Sequence, residues 1–127
     1  MTLAYWCVLI AMLLPWIAAS YAKKNGGFKA DDNHQPREFM AKVQGKAARA
    51  NAAQQNGYEI FAPFAAAVII AHATDNAAQF TINFWSVLFI LSRLGYFYCY
   101  IKDKSFARSC IWGVGVICII ALYIAAI

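Results

Sequence analysis

Charged residues are scarce in this sequence. Lys, Arg, Asp and Glu together make up 13% of its 127 residues, and only six residues are acidic. A soluble domain has about 25% charged residues and about 45–50% apolar ones, whereas 62% of this chain is hydrophobic. The composition excludes an ordinary soluble domain and predicts an integral membrane protein in a lipid bilayer. At this length we expect a single domain, residues 1–127, with three or four spans.

Clustered metal ligands and cysteine pairs are also missing. The four cysteines lie in or at the edge of apolar runs, with no CxxC pattern and no paired histidines: Cys7, Cys99, Cys110 and Cys118. This placement disfavours a zinc site and a disulfide framework. It predicts that the cysteines are small buried apolar residues.

The net charge of +5 does not indicate a nucleic-acid partner. Seven of the eleven bases lie between the first two apolar runs, three lie within residues 102–108, and Arg93 is the remaining one. Basic loops of this kind are typical of the cytoplasmic side of a membrane protein, whereas a phosphate-binding surface is not the simplest explanation of their clustering.

Four apolar segments are long enough to cross about 30 Å of hydrocarbon. They predict an all-α bundle with spans at about residues 2–22, 57–74, 80–101 and 106–127. We expect the second helix to begin near residue 37, to project into the cytoplasm and to run unbroken to about residue 74. A cleaved signal peptide is an alternative for the first span. A signal peptide carries its basic residues before the apolar run, whereas in this chain they follow it.

Four spans place both termini on the same side of the membrane. Residues 23–56 and 102–105, which carry nine of the eleven bases, are then cytoplasmic, and the connection at residues 75–79 has no Lys or Arg. A short chain without a targeting extension suggests the bacterial inner membrane.

Polar residues enter the second span at its cytoplasmic end. Arg49, Ala52, Asn56 and Glu59 are spaced so that they share one face of a helix, and no charge follows Glu59 until Asp75. A carboxylate inside an apolar run needs protein around it and a partner. The stripe predicts either a structural polar contact between helices or a ligand-binding face.

Other polar side chains reach the same half of the membrane, whereas the opposite half is almost entirely apolar. They come from the second, third and fourth helices: Gln54, Arg93, Tyr96, Tyr98, Tyr100 and Arg108. Arginines, amides and phenols suit a small anionic or zwitterionic, peptide-like ligand. We also expect an ion pair between Arg93 and Glu59. The alternative for the tyrosines is an interfacial aromatic belt.

Two segments carry a resemblance to a known family. RANAAQQNGYEIFAPFAAAV, residues 49–68, resembles the N-x-x-E-x-(F/L)-x-x-F signature of the MAPEG family, the membrane-associated proteins of eicosanoid and glutathione metabolism. RLGYFYCYIKDKSFARS, residues 93–109, is similar to the family's third-helix arginine–tyrosine motif and fourth-helix arginine. With the four spans and the long second helix, the resemblance covers essentially the whole chain.

The resemblance implies a left-handed four-helix bundle that assembles as a homotrimer and binds glutathione between neighbouring subunits. It implies that Arg108 is catalytic and stabilises the glutathione thiolate. The family usually has an arginine where this chain has Ala52, so Arg49 is the nearest base on the helix. The implied glutathione-binding residues are Arg49, Gln54, Asn56, Glu59, Arg93, Tyr96 and Tyr100.

The implied function is a glutathione-dependent membrane enzyme, similar to a glutathione transferase or peroxidase. Its co-substrate would be an apolar electrophile or a lipid hydroperoxide that enters from the lipid. A non-catalytic or weakly active MAPEG-fold protein with a structural polar cluster is the alternative, which Ala52 favours. A small four-span transporter is disfavoured because the first span has no ionisable residue.

Overall fold

The structure, a computed structural model, describes all residues 1–127 and contains only helices. Four of these helices are long and apolar enough to cross a membrane, which confirms the predicted all-α chain with four spans. In chain order the elements are α1 (Leu3–Gly26), a 3-10 turn (Ala30–His34), α2 (Pro36–Lys42), α3 (Gly45–Thr74), α4 (Gln79–Ile101) and α5 (Ser105–Ala125).

The first helix has a recognisable signal at each end. Thr2 caps its N-terminus, since the Thr2 hydroxyl accepts from the backbone N–H of Tyr5 at 3.4 Å. Gly27 ends it in the left-handed conformation, at φ 75°, and donates its N–H to the carbonyl of Lys23. A glycine adopts that conformation without a Cβ penalty, so α1 ends here, one turn after Lys23 and Lys24.

The second helix is broken, so the expectation of one helix from about residue 37 to about 74 was wrong. Val43 and Gln44 are extended, and Gly45 begins α3 at φ +57°. The Nδ2 of Asn51 donates to the carbonyl of Met40 at 3.2 Å and holds α2 against α3. The segment that was predicted to project from the membrane therefore consists of two pieces, a short helix folded back onto the start of a long one.

The two central helices are α3 and α4. Each contacts all three other long helices, whereas α1 and α5 do not contact one another and lie on opposite sides of the bundle. The rings of Phe64 and Phe89 stack at 3.8 Å between centroids, where α3 meets α4. Gly57 lets α1 and α3 approach closely, because a Cβ added to it would lie 2.9 Å from Cγ of Pro15.

Both chain ends meet the α3–α4 connection at one end of the bundle. The Nδ2 of Asn76 donates to the carbonyls of Ala126 and Ile127, each at 3.1 Å. The Thr2 hydroxyl lies 3.0 Å from Nε2 of His72. The opposite end of the bundle carries the 102–104 turn and residues 27–44, as expected for four consecutive spans.

The outer surface of the bundle is strongly apolar. Large apolar side chains from all four spanning helices are exposed, among them Trp6, Trp16, Ile69, Phe80 and Ile117. In a soluble protein a surface of this kind would promote aggregation. On spanning helices it is the surface that contacts lipid or neighbouring subunits.

Candidate functional site

Three charged residues lie at similar heights along the spanning helices. Measured along their helix axes from the ends at the opposite face, Glu59 lies at about 22 Å, Arg93 at about 21 Å and Arg108 at about 26 Å. The hydrocarbon layer is about 30 Å thick. All three therefore lie just inside one boundary of the layer, at the end of the bundle that carries the basic turn.

Arg93 is buried, with 6% of its surface exposed, and its main partner is an amide. Its Nη2 donates to Oδ1 of Asn56 at 2.7 Å. The Nδ2 of Asn56 in turn donates to Oε2 of Glu59 at 3.3 Å. The predicted ion pair between Arg93 and Glu59 is therefore wrong, because Asn56 lies between the two charges. The single ion pair of the protein joins residues of α2.

Aromatic rings continue this set of contacts towards α5. The Cζ of Arg93 lies 4.1 Å from the ring centroid of Tyr96, and the rings of Tyr96 and Tyr100 meet edge to face at 5.3 Å. The Cζ of Arg108 lies 4.2 Å from the ring centroid of Tyr100. Guanidinium groups are attracted to aromatic faces, most strongly away from water. Contacts therefore run continuously across three helices through a set that we call the polar cluster: Asn56, Glu59, Arg93, Tyr96, Tyr100 and Arg108.

Glu59 points away from the centre of its own bundle. It is exposed and borders a groove of about 290 Å³ between α3 and α5. Asn56 lies at the same end of the groove, and the walls are apolar, with Pro63, Trp112 and Ile120 among them. A carboxylate on an outer face at this depth would meet lipid in a lone chain, so it requires a partner from outside the chain.

Arg49 forms its hydrogen bond with a backbone carbonyl of its own chain. Its Nη2 donates to the carbonyl of Ile101 at 3.3 Å, while its Nε is buried without a partner. Arginine at a helix C-terminus satisfies a free carbonyl and interacts favourably with the helix dipole. Arg49 thus fastens α3 to the end of α4, one residue beyond Tyr100.

Gln54 lies apart from the polar cluster. It borders an open groove of about 520 Å³ between α1, α2 and α3, together with Lys23, Arg37 and Tyr58. Its Oε1 is buried and has no hydrogen-bond partner. Of the eight residues predicted for the site, six form one connected set, Arg49 braces it from the side, and Gln54 faces a different groove.

The structure contains no group of three or more His, Cys, Asp or Glu side chains arranged to hold a metal ion. All four cysteines are free, and Cys110 is exposed while the other three are buried. The prediction that all four are buried is therefore wrong for Cys110, which lies on the outer face of α5.

A second set of polar contacts, missed by the sequence analysis, lies at the opposite end of the bundle. The ring of His72 stacks on Tyr5 at 4.3 Å, and its Nε2 lies 3.0 Å from the Thr2 hydroxyl and 3.3 Å from Nε2 of Gln79. Gln79 also donates to Oδ1 of Asn83 at 2.9 Å. The expectation of an almost entirely apolar half overlooked that a histidine and an asparagine within spans require partners.

A comparison with known families bears on this arrangement. The model of the MAPEG family matches residues 3–127, which include all four spans and the whole polar cluster. The chain belongs to the MAPEG family. This MAPEG protein is therefore a multi-pass integral membrane protein, and its family suggests a function in glutathione or eicosanoid metabolism. No curated protein and no solved structure matches the chain.

Proposed function

We propose that this MAPEG protein is a glutathione-dependent membrane enzyme that acts on apolar electrophiles or lipid hydroperoxides. The observation that carries the proposal is the polar cluster itself. It connects an exposed carboxylate, Glu59, to a half-buried arginine, Arg108, at one depth in the membrane. The functional groups of glutathione are an ammonium, two carboxylates, two amides and a thiol, and the cluster has a counterpart for each kind.

The polar groups of the cluster divide into two by charge. Glu59 and the amide of Asn56 suit the ammonium and peptide groups of glutathione. Arg93 and Arg108 suit its anionic groups, and the tyrosines supply phenol donors. Because the residues come from three helices, a ligand bound along the cluster would contact α3, α4 and α5 together.

The neighbouring subunit is part of the proposal. Gln54 and Asn56 are two residues apart, which separates them by about 200° around the axis of α3. They border different grooves, so they can contact one ligand only if they belong to different subunits. In a homotrimer the basic groove of Gln54, Lys23 and Arg37 would face the Glu59 groove of the next subunit. Such packing would also shield Glu59 from lipid.

The role of Arg108 in this enzyme is to favour the thiolate. A guanidinium about 4 Å from the sulfur contributes about 4 kcal/mol at an effective dielectric constant of 20. Lowering a thiol pKa by two units requires about 2.7 kcal/mol, so one arginine is sufficient. Tyr100 holds the guanidinium against its ring, 4.2 Å from the centroid, and so restricts its direction.

The groove between α3 and α5 offers an entry for the co-substrate. Its apolar walls begin at Glu59 and include Trp112 and Ile120, and it opens towards the lipid. The thiolate would form a carbon–sulfur bond as the leaving group departs with its electron pair. With a hydroperoxide it would attack the distal oxygen and release an alcohol once the alkoxide is protonated, and a second glutathione would then give the disulfide and water.

The second candidate function is a non-catalytic MAPEG-fold protein. One observation favours it: Arg93 is bound by Asn56 and Tyr96 of the same chain, so this part of the cluster is stable without a ligand. Ala52, where the family usually has an arginine, also removes one anion-binding group. The polar cluster would then serve only to join the helices.

Calorimetry separates the two functions. Purified protein in mild detergent should bind glutathione with saturable heat, and Glu59→Gln should weaken binding at least tenfold because the partner of the ammonium loses its charge. Lys24→Gln, at an exposed position, should bind like the wild type. Binding should be accompanied by conjugation of a generic electrophile such as 1-chloro-2,4-dinitrobenzene. Binding without conjugation would support the non-catalytic function, and absence of both would contradict the glutathione proposal.

A further inference from the structure

A groove on the outer surface of the bundle runs along α4, beside the start of α1, and is almost entirely apolar. Its volume is about 360 Å³, and its one polar residue is Asn83. The other residues that line it are Leu3, Phe80, Phe84, Val87, Leu88 and Leu91. Asn83 and Leu91 are eight residues apart, or about 12 Å along the helix axis. The groove therefore runs through most of one leaflet, since a leaflet is half of a hydrocarbon layer about 30 Å thick.

The side-chain amide of Asn83 has one group left over for a partner. Its Oδ1 accepts from the backbone N–H of Ala4 at 3.1 Å and from Nε2 of Gln79 at 2.9 Å. A backbone N–H can only donate, so the oxygen and the nitrogen of this amide are assigned without ambiguity. The Nδ2 of Asn83 makes no hydrogen bond within the chain. It is not one of the buried atoms that lack a partner, so a group outside the chain can reach it.

The depth of Asn83 in the membrane indicates what that group is. Measured along α4 from its first residue, Gln79, Asn83 lies at about 6 Å and Arg93 at about 21 Å. Asn83 is therefore close to the boundary between hydrocarbon and headgroups on the side opposite the polar cluster. The ester carbonyls of a phospholipid occupy this boundary, and each is a hydrogen-bond acceptor at the end of an apolar chain. An amide N–H that faces hydrocarbon without an acceptor is unfavourable.

A neighbouring subunit suits this groove less well than a lipid. The homotrimer proposed above uses the two grooves that flank α3, at Gln54 and at Glu59. The groove at Asn83 is formed by α4 and the first residue of α1, and α3 contributes nothing to it. Phe80 and Leu91, at its two ends, are 79% and 58% exposed. In that assembly the groove is left to the surrounding bilayer.

We propose that this groove binds one acyl chain of an ester-linked phospholipid, with Nδ2 of Asn83 donating to the ester carbonyl. The lipid belongs to the leaflet opposite the polar cluster, and its chain lies along α4 from Phe84 to Leu91. The oxygen of the same amide binds Ala4, so the lipid carbonyl fixes a side chain that joins α4 to the start of α1. The site does not depend on glutathione and would serve a catalytic or a non-catalytic protein equally.

The test compares two phospholipids that differ only in the carbonyl. Purified full-length protein in mild detergent is mixed with equal amounts of a diester phosphatidylcholine and of the diether lipid with the same chains and headgroup. Native mass spectrometry then gives the ratio of the two bound lipids. We expect the ester lipid to be favoured about threefold, which corresponds to an average hydrogen bond between membrane helices. Equal binding of the two lipids by the wild type would overturn the proposal.

Two variants show whether the preference arises at Asn83. Asn83→Leu keeps the approximate shape of the side chain and removes the donor, so the ratio should fall to one. Gln79→Leu is the matched control, because it removes the hydrogen bond between Gln79 and Asn83 but leaves the Nδ2 of Asn83 in place. Its ratio should remain about threefold. An ester preference that persists in Asn83→Leu would contradict the assignment of the donor.

A photoreactive lipid locates the chain and requires no variant to fold. A diester phosphatidylcholine with a diazirine in the middle of one chain should label the wild type preferentially between Phe84 and Leu91. Labelling spread evenly over the outer faces of all four spanning helices would mean non-specific lipid only. Leu91→Cys carrying a photoreactive benzophenone, in a Cys110→Ser background, should not cross-link to a second chain. Such a cross-link would assign the groove to a neighbouring subunit, and either of these two results would overturn the lipid site.

Discussion

Arg93 of α4 donates a 2.7 Å hydrogen bond to Oδ1 of Asn56 on α3, so the buried cation is bound by an amide and not by a carboxylate. The same amide donates from its Nδ2 to Glu59. One asparagine therefore connects the interior of the bundle to the outer groove. Its orientation is fixed from both sides, because only the oxygen can accept from the guanidinium and only the nitrogen can donate to the carboxylate.

Asn56→Ala should destabilise the protein by about 1–3 kcal/mol. It removes the acceptor of a buried guanidinium, and hydrogen bonds to charged groups contribute more than neutral ones, although bonds between membrane helices are often worth less than about 1 kcal/mol. Unfolding of the purified protein in detergent, followed by circular dichroism, measures the change.

Glu59→Gln is the matched control for that variant. It retains an oxygen that can accept from Asn56, and the side chain is exposed in the single chain. Its stability should stay within about 0.5 kcal/mol of the wild type. If Glu59→Gln were instead the more destabilising of the two, the carboxylate would be the real counter-charge of Arg93, and the amide only an intermediary.

Gly57→Ala should loosen the contact between α1 and α3. The new Cβ would lie 2.9 Å from the ring of Pro15, which is rigid, so one helix has to move. Overpacking of this kind costs about 1–3 kcal/mol, and it outweighs the gain of about 1 kcal/mol from replacing a helical glycine by alanine. Thermal unfolding should show a lower Tm.

Gly113→Ala is the control for that contact. Nothing lies within 4 Å of the position that its Cβ would occupy, so the alanine should be neutral or should raise Tm. If Gly57→Ala and Gly113→Ala changed Tm equally, α1 and α3 would be able to move apart at Gly57 without a loss of stability.

The four spans were predictable because a membrane span follows from length and apolarity, which can be counted in a sequence. Most of the polar cluster was predictable for a related reason: Asn56 and Glu59, like Tyr96 and Tyr100, are three or four residues apart and must share a helix face. Neither argument needs any knowledge of how the helices pack.

The rest depended on packing. Which side chain meets Arg93 is decided by the rotation of α4 against α3, and spacing within one helix does not contain that rotation. Gln54 was grouped with Asn56 through the family resemblance, although two residues place them on different sides of the helix. The break before Gly45 had one local signal, a glycine, inside a segment that otherwise favours a helix.

The C-terminus should face away from the cytoplasm. All of the eleven bases except Arg93 lie in segments at the end of the bundle opposite the termini. Basic loops stay in the cytoplasm. Green fluorescent protein fused after Ile127, which does not mature when exported through the bacterial Sec pathway, should be dark, and alkaline phosphatase fused there should be active. The reverse pattern would invert the topology and place the polar cluster at the other face of the membrane.

The protein should be a homotrimer in mild detergent. Glu59 lies on an apolar outer face, where a carboxylate requires a partner from outside the chain. Native mass spectrometry should give three times the subunit mass of 14.1 kDa. Cysteines placed at Glu59 and Gln54, in a background without the native cysteines, should cross-link between subunits. A monomer would leave Glu59 without a partner and contradict the split site.

Arg108→Ala should raise the pKa of the thiol of bound glutathione while leaving the fold and the trimer intact. The arginine is half-buried at the start of α5 and contacts the ring of Tyr100, so its loss leaves no buried charge unpaired. Without the positive neighbour the thiolate is less favoured, by about two to three pKa units if the guanidinium acts alone. Activity should fall more than glutathione affinity, because the arginine interacts more strongly with the thiolate than with the thiol.

The measurement is the ultraviolet absorbance of the bound thiolate as a function of pH, in the wild type and in Arg108→Ala. Lys104→Ala is the matched control. The Lys104 ammonium lies over the ring of Tyr98, 5.6 Å from the centroid, on the exposed turn that precedes α5. Removing that charge should leave the thiol titration unchanged, because solvent screens an exposed ammonium. Arg108→Lys should restore part of the shift, since it keeps the charge but not the planar contact with Tyr100. An unchanged thiol pKa in Arg108→Ala would mean that this arginine anchors the end of α5 at the membrane surface, and the catalytic role would then have to belong to another residue of the cluster.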